Sequence, residues 1–302
     1  MKKFPKVAIL MATYNGERWL EPQLKSILKQ NNCHIKLTIQ DDNSGDNTCK
    51  IIKKFQKTNN INLTINKKSQ RSASLNFLNL IIKTNINCDF YAFSDQDDIW
   101  NKNKLTRALK KLDENKCEAY SSNISVIKNK KKFLMNKSNI QKKYDYIFEG
   151  VPGCTVVLSK NSFLKIKKKL MKLSYAELKK ISMHDTFIYF YLRSSNVPWY
   201  IDKYSYINYR QHENNVVGVN YGLGLSKQKL NSLKKRFKLI RSGFYRNSIL
   251  NIAKIINYEN WVIKSLKKLS FIDRIKLILN INFFRRSKID SFFLIIILLI
   301  IK

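Results

Sequence analysis

The chain has 302 residues, with 57 Lys+Arg against 21 Asp+Glu, a formal net charge of +36. At 44% hydrophobic and 26% charged it has material for a real core in one large or two small domains, which excludes a disordered tail. Eight glycines and four prolines exclude collagen-like chains, and five scattered cysteines with no C-x-x-C exclude a disulfide framework and suit a reducing cytosol.

The first 120 residues alternate strand and helix patterns. Val7 to Met11 is a short buried-strand run, followed by a turn at Tyr14-Asn15-Gly16 and a helix with Trp19, Leu20, Leu24, Ile27 and Leu28 on one face. Ile35 to Gln40 reads as the second strand. The turn Asp41 to Asp46 then leads into a helix carrying Ile51, Ile52 and Phe55. Ile61 to Ile65 is the third strand, Leu75 to Ile82 a helix, and Phe90 to Phe93 the fourth strand. That strand runs into Ser94-Asp95-Gln96-Asp97-Asp98, and a helix follows from Lys102 to about Asn115. The rhythm predicts an α/β fold with a mostly parallel sheet between helices. Such sheets bind ligands at the carboxyl ends of their strands, where both Asp clusters fall.

Residues 119–150 are less regular, with a hairpin expected around Asn129-Lys130. A turn at Gly150–Gly153 precedes a strand over Cys154 to Leu158. A basic helix is expected over about Lys160 to Lys172, an aromatic-rich helix over His184 to Arg193, and β-structure over Pro198 to Tyr209. Beyond Gly224 the chain reads as helical and basic. Residues 219–302 hold 18 basic and 3 acidic residues, whereas residues 1–118 hold 12 acidic and 21 basic ones. Phe292 to Ile301 is an uncharged apolar run, about half the length that a membrane-spanning helix needs. The run Val7 to Ala12 is too short for the core of a signal peptide.

Three carboxylates within four residues at Asp95, Asp97 and Asp98 repel one another unless a cation or solvent offsets the cost. Hard oxygen ligands suit Mg²⁺ or Mn²⁺, which favour phosphate oxygens for their remaining positions. A solvated acidic loop capping the next helix explains the cluster equally well. Asp41-Asp42-Asn43-Ser44 read alone is an N-cap, with Asn43 suited to a left-handed backbone. His184-Asp185 reads either as a cap or as a general base beside an imidazole. Arg210 and His212 suit a diphosphate or metal, or a simple loop.

Together, and in this order, these segments resemble the inverting glycosyltransferases of family 2, which have the GT-A fold. The carriers are Met11–Gly16, Asp41–Ser44, Phe93–Trp100, Gly153–Thr155, His184-Asp185 and Tyr209–Asn215. The subgroup most resembled is the rhamnosyltransferase-like, cell-wall and O-antigen sugar transferases. The resemblance runs from about residue 6 to 218. It implies a GT-A (Rossmann-like) domain over 1–218 and leaves 219–302 as a basic helical tail suited to an anionic membrane surface.

The resemblance also implies roles. Thr13, Tyr14 and Asn15 lie near the base and ribose of a nucleotide-sugar donor, with Asp41 and Asp42 holding the nucleotide and Asp42 the base contact. Asp95 and Asp97 hold Mn²⁺ or Mg²⁺ at the diphosphate, with His212 near the metal. Asp185 is the catalytic base, and Trp100 and His184 line the acceptor side. The acceptor is a surface polysaccharide or a lipid-linked sugar, which places the protein in the cytoplasm at the inner face of the cell membrane. Departures from the pattern are Asn43-Ser44-Gly45-Asp46-Asn47 after the Asp pair, Glu213 where relatives commonly have Gly, and Ser69–Ser74 without a Gly.

Two other classes compete. A nucleic-acid binder would explain the net charge but not three acidic clusters at strand ends, which repel phosphate. A non-catalytic sugar-nucleotide-binding relative is opposed by the presence of both Asp97 and Asp185.

Overall fold

An unbroken apolar run bounded by Pro5 and the turn at Asn15 suits a strand covered on both faces. β1 (Lys6–Thr13) is that strand, and it is buried from Val7 onward. The computed structural model describes residues 4–59, 61–128, 131–212 and 242–301. β1 pairs in parallel with β2 (His34–Asp41) and β4 (Phe90–Ser94), with Thr13 opposite Asp41 and Met11 opposite Ser94. β3 (Ile61–Ile65) extends the sheet in parallel beyond β2. Helices α1 (Glu17–Leu28), α2 (Thr48–Gln56) and α3 (Ala73–Lys83) make the crossovers. The loops after β1, β2 and β4 therefore gather at one sheet edge.

Side chains alternate along β1 and so divide the interior into two layers. Ala8, Leu10 and Ala12 face a cluster containing α3 residues, whereas Val7, Ile9 and Met11 face one containing Leu20, Leu24 and Ile27 of α1.

The expected parallel sheet carries one antiparallel insertion. β9 (Val157–Ser159) lies between β4 and β6 (Ala119–Ser122) and runs against both. β10 (Trp199–Asp202) closes that edge, giving among the described residues the order β10-β6-β9-β4-β1-β2-β3. The strand expected from Cys154 begins only at Val157, because Gly153–Thr155 forms a 3₁₀ turn.

A smaller sheet has the order β5 (Ile99–Trp100), β11 (Ile207–Arg210), β7 (Ile124–Lys128) and β8 (Lys131–Met135). β7 and β8 form the expected hairpin, and its turn residues Asn129 and Lys130 lie outside the described residues. Antiparallel pairing of β5 with β11 places Ile207 opposite Trp100 and carries Arg210 and His212 to the loop after β4.

α4 (Lys104–Glu114), α5 (Asp145–Phe148), α6 (Lys160–Leu170), α7 (Tyr175–Lys179) and α8 (His184–Ser194) follow in chain order. The boundary expected at 218, Glu213, Asn214, Asn215 and the basic residues Lys234 to Arg241 lie outside the described residues. Beyond them come α9 (Phe244–Ile256), α10 (Trp261–Lys268), α11 (Phe271–Leu279) and α12 (Lys288–Ile300).

These four helices share the main core. Ile252, Leu266, Leu277, Phe284 and Leu294 belong to the same buried cluster as Leu10, Phe93 and Phe187. Arg286, grouped by sequence with the tail's surface charge, is instead buried. Its Nε donates to Glu149 Oε2 at 2.7 Å and its Nη2 to the Gly150 carbonyl at 2.7 Å.

Candidate active site

The loops after β1 and β2 are wired to each other. Asn15 and Asn43 both take left-handed backbone angles, φ 46° and 63°. The Asn15 amide donates to Ser44 Oγ at 2.9 Å, and the Gly45 amide returns a bond to Asn15 Oδ1 at 2.9 Å. The Thr13 hydroxyl and the Ser44 hydroxyl each donate to Asp41 Oδ2 at 2.7 Å, and the Ser44 amide donates to Oδ1 at 2.8 Å. Asp41 is fully buried. Its oxygens are thus bonded within the turn, with the Thr13 hydroxyl turned inward to them.

Asp42 also accepts internal donors: Asn66 Nδ2 at 2.8 Å, Ser69 Oγ at 3.0 Å and the backbone amides of Gln70 and Arg71 at 2.9 and 3.1 Å. The two amides come from the loop before α3, with Arg71 at φ 51°. Tyr14 is exposed, and its backbone amide and carbonyl are both bonded by the Gln96 side chain, at 2.9 and 3.0 Å. Gln96 thereby locks the strand-one turn to the acidic loop, and a Cβ on Gly16 would collide with its amide.

The acidic loop lies between β4 and β5. Gln23 Nε2 donates to Ser94 Oγ at 2.8 Å and to the Asp95 carbonyl at 3.1 Å, fixing the loop's start. Burial, then Asp97, then Asp185 push the Asp95 carboxyl up to about 7. Asp98, fully buried, is raised well above the ordinary range by burial and by Asp95 and Asp97. Asp97 Oδ2 meets His212 Nε2 at 2.9 Å. His212 in turn stacks on Trp19, with ring centroids 4.7 Å apart and 8° between planes. Arg210 Nε donates to the Asp97 carbonyl at 2.5 Å and Nη2 to the Trp19 carbonyl at 2.7 Å, so this cation clamps backbone.

The expected metal set is therefore only partly assembled. Asp97 and His212 meet each other, whereas the ligating atoms that converge within 4.8 Å are those of Asp95, Asp98 and Cys154. The chemistry of the loop still fits a divalent cation. Beyond burial, Asp97 and Asp185 raise the proton affinity of Asp95, and Asp95 and Asp97 raise that of Asp98, against which the Cys154 thiol and Arg210 weigh only in part. Such crowding of like charges is what a hard cation relieves.

α8 begins at His184, and Asp185 Oδ1 accepts the Thr186 amide at 2.7 Å. Gly153 lies against Asp185, and the thiol of the next residue, Cys154, lies within 4.8 Å of carboxylate oxygens of Asp95 and Asp98, so the start of α8 borders the acidic loop. His184 stacks on Phe77 at 4.1 Å between centroids, and burial holds its imidazole below the ordinary range. Gly153 makes this packing feasible, because a Cβ there would lie 3.1 Å from His184 Nε2 and 3.2 Å from Asp185 Cβ. Trp100 does not reach an acceptor surface. Its ring is buried beneath Lys104, whose Nζ lies 3.3 Å from the ring centroid. Sequence reading missed Gln23, Gln96 and the structural part of Trp19. Their partners lie 71–191 residues away, so local pattern carries no trace of them.

The model of glycosyl transferase family 2 matches residues 8–193. The chain belongs to that family. This glycosyltransferase is 38% identical over 295 residues to dTDP-rhamnosyl transferase RfbG of Shigella flexneri, a match covering 96% of this chain and 99% of RfbG. It is 32% identical over 123 residues to WfgD of Escherichia coli, a UDP-Glc:alpha-D-GlcNAc-diphosphoundecaprenol beta-1,3-glucosyltransferase, covering 41% of this chain and 47% of WfgD. The solved structure of TarS from S. aureus with UDP-GlcNAc superposes with a TM-score of 0.58 at 15% identity, covering 90% of this chain and 88% of that one. That likeness supports the fold, a mostly parallel sheet flanked by helices.

Proposed function

We propose that this family 2 glycosyltransferase moves rhamnose, by inversion and with Mn²⁺ or Mg²⁺, from dTDP-rhamnose to a hydroxyl of a lipid-linked or surface-polysaccharide acceptor at the inner face of the cell membrane. The observation that supports the reading is that the acidic loop after β4 and the turn before β9, which packs against Asp185, come together at the sheet edge formed by β1, β2 and β4. The rhamnosyl donor rests on the likeness to RfbG over nearly all of both chains. A lipid-linked acceptor is the printed substrate of WfgD.

Asp42 is the base contact in this reading, exchanging the amides of Gln70 and Arg71 for the base N–H, with Tyr14 and Asn15 on the neighbouring turn. Asp95 and Asp97 would hold the cation, with His212 steadying Asp97; the cation supplies positive charge to the leaving diphosphate. Asp185 Oδ1 accepts the Thr186 amide, which leaves Oδ2 to serve as the base. As the acceptor oxygen attacks the anomeric carbon, its proton passes to Oδ2 and the anomeric C–O electron pair leaves with the diphosphate.

The test is release of nucleoside diphosphate from a panel of nucleotide sugars, with Mn²⁺, with Mg²⁺ and with EDTA. Release from dTDP-rhamnose that EDTA stops is the expected result. Metal-independent release, or preference for a UDP-hexose, would overturn the metal or donor assignment respectively.

A further inference from the structure

We propose that the outward faces of α11 and α12 form a docking surface for an anionic lipid bilayer. α11 presents Phe271, Ile272, Ile275 and Leu279 to solvent, while Leu277 on the opposite side is buried. α12 presents Ile289, Phe292, Phe293, Ile296 and Leu299, opposite buried Leu294 and Leu298. Exposure of these outward side chains runs from 37% at Ile296 to 77% at Phe271 and Leu279. A helix that is apolar all round belongs in a core or against hydrocarbon, and the core takes only the inner stripe. Nine large apolar side chains exposed on two adjoining helices form more than the singly scattered apolar residues of an ordinary surface.

The two stripes are neighbours. Arg274, in the first turn of α11, donates from Nη1 to the Leu298 carbonyl and from Nη2 to the Ile301 carbonyl at 2.8 Å. The first half of α11 therefore meets the end of α12. With 13 residues, α12 is about 20 Å long at ~1.5 Å per residue, too short for a hydrocarbon core of about 30 Å. Among the described residues no helix is long and apolar enough to cross a membrane. The geometry suits a helix pair lying in the interface.

Charge selects the occupant. Residues 219–302 hold 18 basic and 3 acidic residues, and Lys264, Lys267, Lys268, Lys276 and Lys288 are exposed. A second copy of the chain brings the same basic excess. Residues 213–241 hold seven Lys or Arg and one acid, Glu213, so they do not complement the rim either. Anionic headgroups do, at about 1 kcal/mol per Lys or Arg near the surface.

The surface is also tied to the acceptor side. Arg286, just before α12, holds the Gly150 carbonyl at 2.7 Å, and a Cβ on Gly150 would lie 3.0 Å from Oγ1 of Thr186, the neighbour of Asp185. The use of such docking rests on the lipid-linked acceptor proposed above; the surface itself does not.

The test is flotation of the full chain with phosphatidylcholine vesicles and with phosphatidylcholine–phosphatidylglycerol vesicles, without donor or metal. Its failure therefore leaves the transferase reading standing. Removing 283–302 would also strip Phe284 and Arg286 from the core, so F292S/F293S and F271S/I272S carry the comparison. Binding to the mixed vesicles is expected to fall about tenfold or more in either variant and with added salt, at unchanged Tm. The proposal is overturned if the wild type ignores the mixed vesicles at low salt. It also fails if both variants bind as the wild type does, or if sedimentation reveals a dimer that the serine substitutions dissociate.

Discussion

Two acidic turns follow the strands that flank β1, and they are wired in opposite ways. After β2, Asp41 and Asp42 are surrounded by neutral donors: hydroxyls, side-chain amides and backbone N–H groups. After β4, burial and neighbouring carboxylates raise both Asp95 and Asp98, with the Cys154 thiol and Arg210 offsetting only part of it at Asp98. Similar composition thus serves different chemistry. Neutral donors around a carboxylate can be exchanged for the N–H of a base, whereas buried carboxyls crowded by like charges call for a cation.

The largest expected effect breaks the acidic site at its base. Asp185→Asn keeps the shape and the Thr186 contact but accepts no proton, so kcat should fall about 10²–10⁴-fold with donor affinity nearly unchanged. A matching loss of donor affinity would make Asp185 a donor contact. Next, Asp97→Ala should lower turnover at least about 10²-fold even at saturating Mn²⁺, since cation stabilisation of the leaving group is worth several kcal/mol. Its Tm should hold, because a carboxylate leaves a like-charged cluster; near-normal turnover would remove Asp97 from the site.

The donor turn should respond through stability instead. Asp41→Asn leaves three hydrogen-bond donors competing for one carbonyl oxygen, so about 1–3 kcal/mol of unfolding free energy should be lost. Denaturant titration checks this, and turnover per folded molecule should change little. The smallest effect is expected at Trp19. Trp19→Ala removes the ring stacked on His212, worth about 0.5–1.5 kcal/mol. Mn²⁺ affinity should weaken several-fold, and Trp19→Phe should restore most of it. A Trp19→Phe variant no better than Trp19→Ala would mean the ring acts through backbone alone.

The contrast between the turns was only half legible in the sequence. β1 to β4 were readable because uninterrupted apolar runs of strand length separate helical patterns. The Asp turns were readable because parallel strands end together. β6 was not, since Ala-Tyr-Ser-Ser has no apolar run although all four residues are buried. The commitment of Asp41 to its own turn was also hidden, because Thr13 reaches it from 28 residues away. Trp100, beside three aspartates, read as a surface aromatic, yet it is covered by Lys104 from the following helix. Arg286 read as surface charge because its partners Asp145 and Glu149 belong to α5 and the loop beyond it. In each case the missing information was a partner distant in sequence, or a polar residue that burial requires to be paired.

The most direct test of the acidic loop as a cation site is Mn²⁺ affinity of the free protein at pH 6 and pH 8. With Asp95 raised to about 7, its carboxyl is ionised at the higher pH and protonated at the lower, where the cation must displace a proton. Tighter binding by about tenfold at pH 8, with proton release on binding at pH 6, is the expected result. Equal affinity at both values, or no Mn²⁺ binding at either, would contradict it.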